Sequence, residues 1–447
     1  MKAEQQYLDL YAQCESLINE HSSEVMNALR SQAFADFHQL GFPNRKVEKY
    51  KYTDVAPLFE PDYGLNLNRI DIPVNPYEVF KCDVPDLSTS LYFTVNDGFY
   101  NKDLPKSPLP EGVLMGSLRQ LSEEHRDLVA AYYGKLADTS RDAIVALNTM
   151  LAQDGVLLYI PDGVVVERPI QLINVLRSNV DFMMNRRVLI ILGKGAQAKL
   201  LVCDHAMDDV KFLSTQVIEV FAGEHSVFDL YELEETHNHC TRFSNLFVHQ
   251  EAGSNVLLNG VTLHNGVTRN TTEVTLAGRG AEIKMLGMAI EDKQQRVDNN
   301  TFIDHAVSDC ISHELYKYVL DDASVGAFAG KVLVRSGAQH TVSQQTNRNL
   351  CATREAHMYT QPQLEIYADD VKCGHGATVG QLDENALFYM RQRGISEKEA
   401  RLMLMFAFVN EVIDEIRLEP LKDRLHVLVE KRFRGELNKC RGCVICR

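Results

Sequence analysis

Cys373 and His375 are the two residues whose types and spacing most directly suggest metal chemistry. They lie in the stretch CGHGATVG (373–380), between a segment typical of a strand and a helical pattern that starts near Asp383. If the segment is extended, residues two apart share a face, so a thiolate and an imidazole, both suitable ligands for iron or zinc, would lie side by side. A complete site needs three or four ligands, so the rest must come from elsewhere in the fold or from another chain. A buried cysteine beside a hydrogen-bonded histidine is the alternative interpretation.

The C-terminal tail contains a second group of potential ligands. Its sequence, CRGCVICR, places Cys440, Cys443 and Cys446 at C-x-x-C-x-x-C spacing. This spacing resembles the start of an iron–sulfur ligand run, which needs a fourth cysteine. That ligand could come from another part of the chain or from a second subunit. A flexible tail with redox-reactive thiols is the interpretation that we favour.

The stretch ETHNHC (235–240) is a third group, in which His237 and His239 would share one face of a strand beside Cys240. Histidines also occur on solvated strand faces, and we favour that interpretation over a metal site. The sequence GKG (193–195) lacks the spacing of a phosphate-binding loop, and no helical pattern follows it. No nucleotide site is therefore predicted in this chain.

The elements that must position these residues are mainly strands. From Gly155 onward, short β-rich runs are separated by turn residues for more than 220 residues. Gly195, Gly223, Gly253 and Gly280 recur at gaps of 28, 30 and 27, and the next expected position falls at Ser308–Asp309. A repeat of this length predicts a solenoid, in which stacked coils bury one continuous core. A β-sandwich would explain the strands but not their even spacing.

Helical patterns flank the β-rich region on both sides. They predict an N-terminal helical or mixed domain over 1–150, a solenoid core over 151–382, and a C-terminal helical domain with a cysteine-rich tail over 383–447. Because an open coil exposes strand edges and core, we expect the helical segments to cap its ends. The apolar stretch from Leu402 to Val409 is richer than one buried stripe requires. Part of it is expected to face a partner, and packing onto the protein's own body is the alternative.

Charge and composition argue against several other classes of partner and location. The formal charge of -15 argues against nonspecific binding of nucleic acid or of an anionic membrane. No apolar run approaches the roughly 18 residues needed to span a bilayer, and the N-terminus does not resemble a secretory signal. We therefore predict a cytoplasmic protein whose ten cysteines are thiols or metal ligands.

Four stretches resemble the SufB/SufD family of iron–sulfur cluster assembly proteins. PNRKVEKYKYTDV (43–55) is similar to an early basic–aromatic motif of the family, with Tyr50 where tryptophan is usual. LNTMLAQDGVLLYIPDGVVVERPIQL (147–172) is similar to the start of the family's solenoid, and the stretch 371–396 resembles its C-terminal signature. The C-terminal helical region fits as well. The signature has the SufD form, CGHGATVG, rather than a form closer to CEHEA, whereas the cysteine tail departs from the family pattern.

The resemblance implies a right-handed parallel β-helix with helical domains at both ends, and a non-catalytic scaffold subunit. It implies a SufB-like partner that pairs through the β-helix, and a SufC-like ABC-type ATPase that binds the C-terminal helices. Iron or a nascent iron–sulfur cluster would bind transiently at the SufB–SufD interface, through His375 and, as a weaker candidate, Cys373. The implied ATPase-contacting residues are Leu402, Met403, Met405, Phe406, Phe408 and Val409.

Other functions remain open at this point. A polysaccharide lyase or hydrolase could use the acid pairs of predicted turns, although the absent export signal counts against it. Alternatively, the chain could be a SufB-like paralogue or a homodimeric metal-binding protein that uses the cysteine tail, and a homodimer is also expected as a form of the isolated SufD-like subunit. The acids of the first alternative are Asp321, Asp322, Asp369 and Asp370.

Overall fold

The computed structural model describes residues 3–79, 89–102 and 108–436. Its centre is a parallel β-helix of about eight turns, which confirms the predicted solenoid. Successive strands alternate between two sheets, so that each turn of the coil contributes one strand to each sheet. The strands of sheet I are β3 (Leu114–Ser117), β4 (Val156–Ile160), β6 (Phe182–Leu192), β8 (Phe212–Ala222), β10 (Cys240–Gln250), β12 (Val267–Leu276), β14 (Arg296–His305), β16 (Val325–Val334) and β18 (His357–Ile366).

Sheet II begins with an antiparallel pair of strands, and its remaining strands are parallel. Its members are β1 (Ser90–Val95), β2 (Gly98–Phe99), β5 (Ile170–Leu176), β7 (Gln197–Ala206), β9 (Val227–Glu235), β11 (Asn255–His264), β13 (Glu282–Glu291), β15 (Ile311–Leu320), β17 (Val342–Cys351) and β19 (Lys372–Gly380). In sheet I, β3 pairs antiparallel with β4. Both sheets therefore begin inside the predicted N-terminal domain.

The turns that lead from sheet I to sheet II set the period of the coil. Each of seven such turns has one residue with φ between 58 and 73°, a conformation that glycine adopts without steric cost. These residues are Gly163, Gly195, His225, Gly253, Gly280, Asp309 and His340. The predicted repeat is confirmed, because three of its four glycines and Asp309 occupy these positions. The fourth predicted glycine, Gly223, lies in a turn whose left-handed residue is His225 instead.

The interior of the coil is filled by side chains from both sheets. Residues alternate along each strand, so Leu230 and Leu258 of sheet II face Leu246 and Val248 of sheet I in one apolar cluster. The contact between the rings of Tyr316 and Phe328, with centroids 5.0 Å apart, also crosses the interior. The opposite face of each strand points outward, where it can pack against helices.

The helices form an N-terminal and a C-terminal group. Within the described ranges, none combines the length and the apolar character needed to cross a bilayer. The N-terminal group also includes a 3-10 helix at Glu48–Tyr50. The α-helices are α1 (Ala3–Glu20), α2 (Glu24–Asn27), α3 (Arg30–Leu40), α4 (Ala56–Phe59), α5 (Pro76–Val79), α6 (Leu118–Glu124), α7 (Arg126–Tyr132), α8 (Ala143–Leu151), α9 (Glu384–Gln392), α10 (Glu397–Asp414) and α11 (Glu419–Arg434).

Both groups of helices pack along the outer faces of the sheets. The N-terminal group covers Leu213 and Phe243 of sheet I, and the C-terminal group covers Tyr231 and Leu257 of sheet II. The prediction that helices cap the ends of the coil is therefore wrong, because the outer faces are themselves apolar and need cover. At the far end, here termed the open end, β18 and β19 each pair with a strand on one side only among the described residues.

The basic–aromatic motif, residues 43–55, crosses the outer face of sheet I and is here termed the strap. The Lys49 ammonium lies 2.9 Å from the buried Asp142 carboxylate, and the Tyr50 hydroxyl donates to the same carboxylate at 2.8 Å. Farther along, the Tyr52 ring stacks on Tyr359 of β18 with centroids 5.0 Å apart. The strap therefore connects the N-terminal helices to the last strand of sheet I.

Candidate functional site

Cys373 and His375 lie on β19, the last strand of sheet II. In the parallel register, Cys373 is the partner of Ser343 and His375 is the partner of Gln345 on β17. Ser343 and Gln345 are 2% and 0% exposed and face the interior of the coil. Partners in register share a face, so the cysteine and the histidine project from the interior face at the open end. The predicted placement of a thiol and an imidazole on one face is confirmed by this register.

The environments of the two residues differ. Cys373 is half-buried and packs against the apolar cluster inside the coil, whereas His375 is exposed. Burial raises the pKa of the Cys373 thiol, although a hydrogen bond from the backbone N–H of Ser343 partly offsets this effect. At neutral pH the group is therefore a thiol, and metal binding would have to release its proton.

The two residues remain half of a site. Among the residues that the structure describes, no group of three or more His, Cys, Asp and Glu side chains could hold a metal ion. Further ligands for a metal at His375 would have to come from outside this set. The unpaired edge of β19 makes a second chain a geometrically simple source, because a strand edge is a ready surface for association.

Polar side chains lie behind the pair, inside the coil, and our sequence reasoning did not single them out. The Gln345 amide donates from Nε2 to Oε2 of Glu314 at 2.7 Å, and the Ser312 hydroxyl donates to Ser343 at 2.8 Å. Burial raises the pKa of Glu314 to about 7. The signal that could have found them is that ISHELYKYVL and VSQQTNRNLC carry polar residues at repeat positions where the earlier strands of sheet II are apolar.

The stretch 235–240 forms the turn between β9 and β10. The His237 ring bonds through Nε2 to the backbone oxygen of Asp208 at 2.9 Å, and its Nδ1 lies 3.6 Å from Sγ of Cys240. Burial lowers the pKa of His237 and raises that of Cys240 to about 12. These contacts fasten one turn to the preceding turn of the coil, which is a structural role.

The acid pairs of the lyase alternative are not brought together. Asp321 and Asp322 lie in the turn from sheet II to sheet I, between β15 and β16, and Asp322 has a left-handed φ of 48°. Asp369 and Asp370 lie in a turn from sheet I to sheet II, between β18 and β19. The two kinds of turn run along opposite edges of the coil, so these four acids do not form one catalytic site.

The predicted ATPase-contacting residues on α10 divide into buried and accessible sets. Met405 and Val409 are 8% and 0% exposed and pack into this chain's own core, so they are not available to a partner. Leu402, Met403 and Phe406 instead line an apolar groove between α10 and α11. The remaining member of the predicted set, Phe408, is half-buried and lies under the ammonium of Lys317.

The apolar groove also contains Phe433 and has a charged rim. Arg434 of α11 forms ion pairs with Glu399 and Glu430 at 2.9 and 3.0 Å. Met403, in its lining, is 46% exposed and is therefore accessible to a partner. The predicted tail ligands Cys440, Cys443 and Cys446 lie outside the described residues.

The structure defines the class of protein as a two-sheeted parallel β-helix with helices on both outer faces and a thiol–imidazole pair on its last strand. The family model of the SufBD protein N-terminal region matches residues 1–172, and that of the SUF system FeS cluster assembly SufBD core domain matches residues 175–408. The chain belongs to the SufBD family of iron–sulfur cluster assembly proteins.

Relatives cover nearly the whole chain. It is 28% identical to the iron–sulfur cluster assembly protein SufD of Escherichia coli over 93% of this chain and 96% of the relative. It is 27% identical to a SufBD family protein of Synechocystis sp. over 88% of each chain. It is also 27% identical to the chloroplastic protein ABCI7 of Arabidopsis thaliana, over 90% of this chain and 85% of that protein.

Proposed function

We propose that this chain is a non-catalytic scaffold subunit of a cytoplasmic SUF-type assembly complex. A SufB-like subunit pairs with the open end of its β-helix, and a SufC-like ATPase binds its C-terminal helices and supplies ATP hydrolysis. Iron or a nascent iron–sulfur cluster is the cargo. It is held between the two β-helices, with His375 as a ligand from this chain and Cys373 as a secondary ligand.

The observation that carries this proposal is the position of an incomplete ligand pair on an edge strand. His375 is exposed on the last strand of sheet II, where the described residues supply no third ligand. A thiolate and an imidazole suit iron, and a second subunit that adds to this edge would bring further ligands to the same place. Half a site on one chain is what a shared interfacial site requires.

The apolar groove of the C-terminal helices supports the second contact. Its apolar lining, Leu402, Met403 and Phe406, lies between α10 and α11, whereas the ligand pair lies on β19, so the two contacts use different residues of the chain. Exposed apolar side chains with a charged rim are typical of a protein–protein contact. No nucleotide-binding motif is present in the sequence, so ATP hydrolysis is assigned to the partner.

The test is co-expression of the full chain with SufB-like and SufC-like subunits, followed by purification and measurement of cluster formation. We expect His375→Ala to leave the complex intact and to abolish or strongly reduce its iron–sulfur content. His249→Ala is the matched control, because His249 lies on β10 of sheet I and pairs with Glu251 far from the open end. Normal iron and sulfide content in the His375→Ala complex would refute the assigned role.

A further inference from the structure

Two columns of interior side chains end at the candidate ligands. One column runs through Leu230, Leu258, Met285, Glu314 and Gln345 to His375 on successive strands of sheet II. The second runs through Phe228, Val256, Ile283, Ser312 and Ser343 to Cys373. Both columns are apolar as far as β13 and become polar only on β15 and β17, directly behind the ligand pair.

The first column holds an unpartnered hydrogen-bond acceptor on the strand next to His375. The Gln345 side chain is fully buried, and its Nε2 donates to the Glu314 carboxyl at 2.7 Å. This bond fixes the amide, and its Oε1 has no hydrogen-bond partner among the described residues. A buried acceptor without a partner is costly, so it needs an explanation. The nearest side chain in register on the open side is the imidazole of His375.

The second column presents a donor toward Cys373. Ser312 donates its hydroxyl hydrogen to Oγ of Ser343 at 2.8 Å, and Nε2 of His305 lies 2.9 Å from Oγ of Ser312. Because the Ser312 hydrogen is already used, the imidazole must donate to Ser312. The Ser343 hydroxyl can then donate its own hydrogen to a group on the next strand, β19, where Cys373 is its partner in register. In this arrangement His305 donates to Ser312 and Ser312 donates to Ser343, so each donor acts on the group nearer to β19.

An acceptor next to the histidine and a donor next to the cysteine match what the two metal ligands need. A metal-bound imidazole commonly donates its second ring N–H to an acceptor, which fixes the tautomer and the orientation of the ring. A metal-bound thiolate is instead stabilised by a hydrogen-bond donor. We propose that Gln345 and Ser343 are positioning residues for the metal ligands: Gln345 accepts the ring N–H of His375, and Ser343 donates to the sulfur of Cys373. This inference rests on the proposed function.

The experiment uses the full chain in complex with its SufB-like partner and Co²⁺ alone as the probe. Gln345→Met keeps the side-chain length but removes the amide, and Ser343→Ala removes the hydroxyl. We expect each to weaken Co²⁺ binding by about 10- to 100-fold, the usual effect of losing such a partner. Ser343→Thr, which keeps a hydroxyl, should bind Co²⁺ as the wild type does.

The controls lie beside these residues but outside the interior. Gln344→Met changes the neighbouring glutamine, which is exposed on the opposite face of β17, and Ser336→Ala changes an exposed serine before that strand. Neither should alter Co²⁺ affinity. Two spectroscopic signals separate positioning from a general loss of structure. Gln345→Met should remove the single ring tautomer of His375 seen by ¹⁵N chemical shift, and Ser343→Ala should shift the sulfur-to-cobalt charge-transfer band.

The outcomes distinguish this inference from the proposed function. If His375→Ala weakens Co²⁺ binding while Gln345→Met and Ser343→Ala bind like the wild type, the positioning roles are refuted and the ligand assignment stands. If His375→Ala itself binds Co²⁺ normally, the proposed site is wrong. Should Gln345→Met fail to fold, Ser343→Ala tests the second column independently, since a buried serine-to-alanine change leaves little space unfilled.

Discussion

Glu314 is a buried carboxyl group whose charge state should be visible in the stability of the protein. Burial raises its pKa from 4.5 to about 7, and hydrogen bonds from Thr301 and Gln345 only partly offset this effect. Because the folded-state pKa lies above the unfolded value, its stabilising contribution is complete below about pH 4.5 and is lost as the pH rises through about 7. Between pH 5 and pH 8 this loss amounts to about 2 to 3 kcal/mol.

The isosteric change Glu314→Gln should remove this pH dependence. We expect the free energy of unfolding of the wild type to fall relative to that of Glu314→Gln as the pH rises, measured by urea unfolding at pH 5, 6, 7 and 8. Glu355→Gln, at an exposed loop position, is the control and should follow the wild-type curve. Parallel curves for Glu314→Gln and the wild type would show that the carboxyl titrates normally.

At the scale of single residues, the sequence reveals the ligand pair more readily than its surroundings. Cys373 and His375 are visible because their types are uncommon and their spacing fits a strand. Gln345 and Ser343 are not visible, because both faces of this sheet are covered and its strands do not show a simple alternation of apolar and polar residues. Only the register, which the sequence does not provide, identifies them as interior.

At the scale of elements, two aspartates that begin helices allow a direct comparison of buried and exposed caps. Asp142 accepts hydrogen bonds from the first backbone N–H groups of α8, and also from Tyr50 and Lys49 of the strap. Asp383 accepts comparable backbone bonds at the start of α9 but is exposed. The same substitution should therefore have unequal effects at the two positions.

We expect Asp142→Ala to lower the free energy of unfolding by about 2 to 4 kcal/mol, because it removes the cap of α8 and the acceptor of the buried Tyr50 hydroxyl, and leaves Lys49 paired with Glu273 alone. Asp383→Ala should cost only about 1 kcal/mol, the usual value for a lost N-cap. Urea unfolding of both variants at neutral pH provides the measurement. Equal losses would mean that the contacts between Asp142 and the strap contribute little to stability.

The groove between α10 and α11 gives a second prediction at this scale. Met403→Glu places a charge on its apolar floor, and we expect it to weaken binding of the SufC-like subunit by at least about tenfold, or ~1.4 kcal/mol. Val427→Glu is the matched control, since Val427 of α11 is 44% exposed and Met403 is 46% exposed, but Val427 does not line the groove. Binding can be measured by calorimetry with the purified ATPase. Equal affinities of the two variants would remove the groove from consideration.

Turns and helix starts could be predicted from the sequence, because each is marked by particular residue types. The turn period follows from glycines that a left-handed backbone favours, and the caps Asp383 and Ser396 mark the starts of α9 and α10. The position of the helices was not predictable in the same way. Apolar helices can cover either an end or a side of a solenoid, and the choice depends on how apolar the outer faces are once the strands have paired.

At the scale of the whole molecule, helices cover the outer faces of the β-helix, but its two ends are protected unequally. Helices bury both outer faces of the β-helix, and the antiparallel strands β1–β2 and β3 terminate the sheets at one end. At the open end, within the part of the chain that the structure describes, β18 and β19 keep one unpaired edge each, although the strap contacts the outer face of β18. An edge of this kind favours association with a second chain. We therefore expect the isolated chain to form a homodimer through the surface that we propose for the SufB-like subunit.

A charge on the edge strand β19 should weaken both associations. Val379 of β19 is 50% exposed and lies on the same face as His375. We expect Val379→Lys to weaken the homodimer and the pairing with the SufB-like subunit by at least about tenfold each, because an edge lysine opposes the addition of a further strand. Sedimentation velocity of the isolated chain and co-purification with the partner measure the two effects.

Val165→Lys, at a valine that is 45% exposed in a turn near the opposite end, is the control and should assemble normally. If Val379→Lys assembles as the wild type does, the open end is not the surface of association, and the shared site at His375 loses its geometric basis.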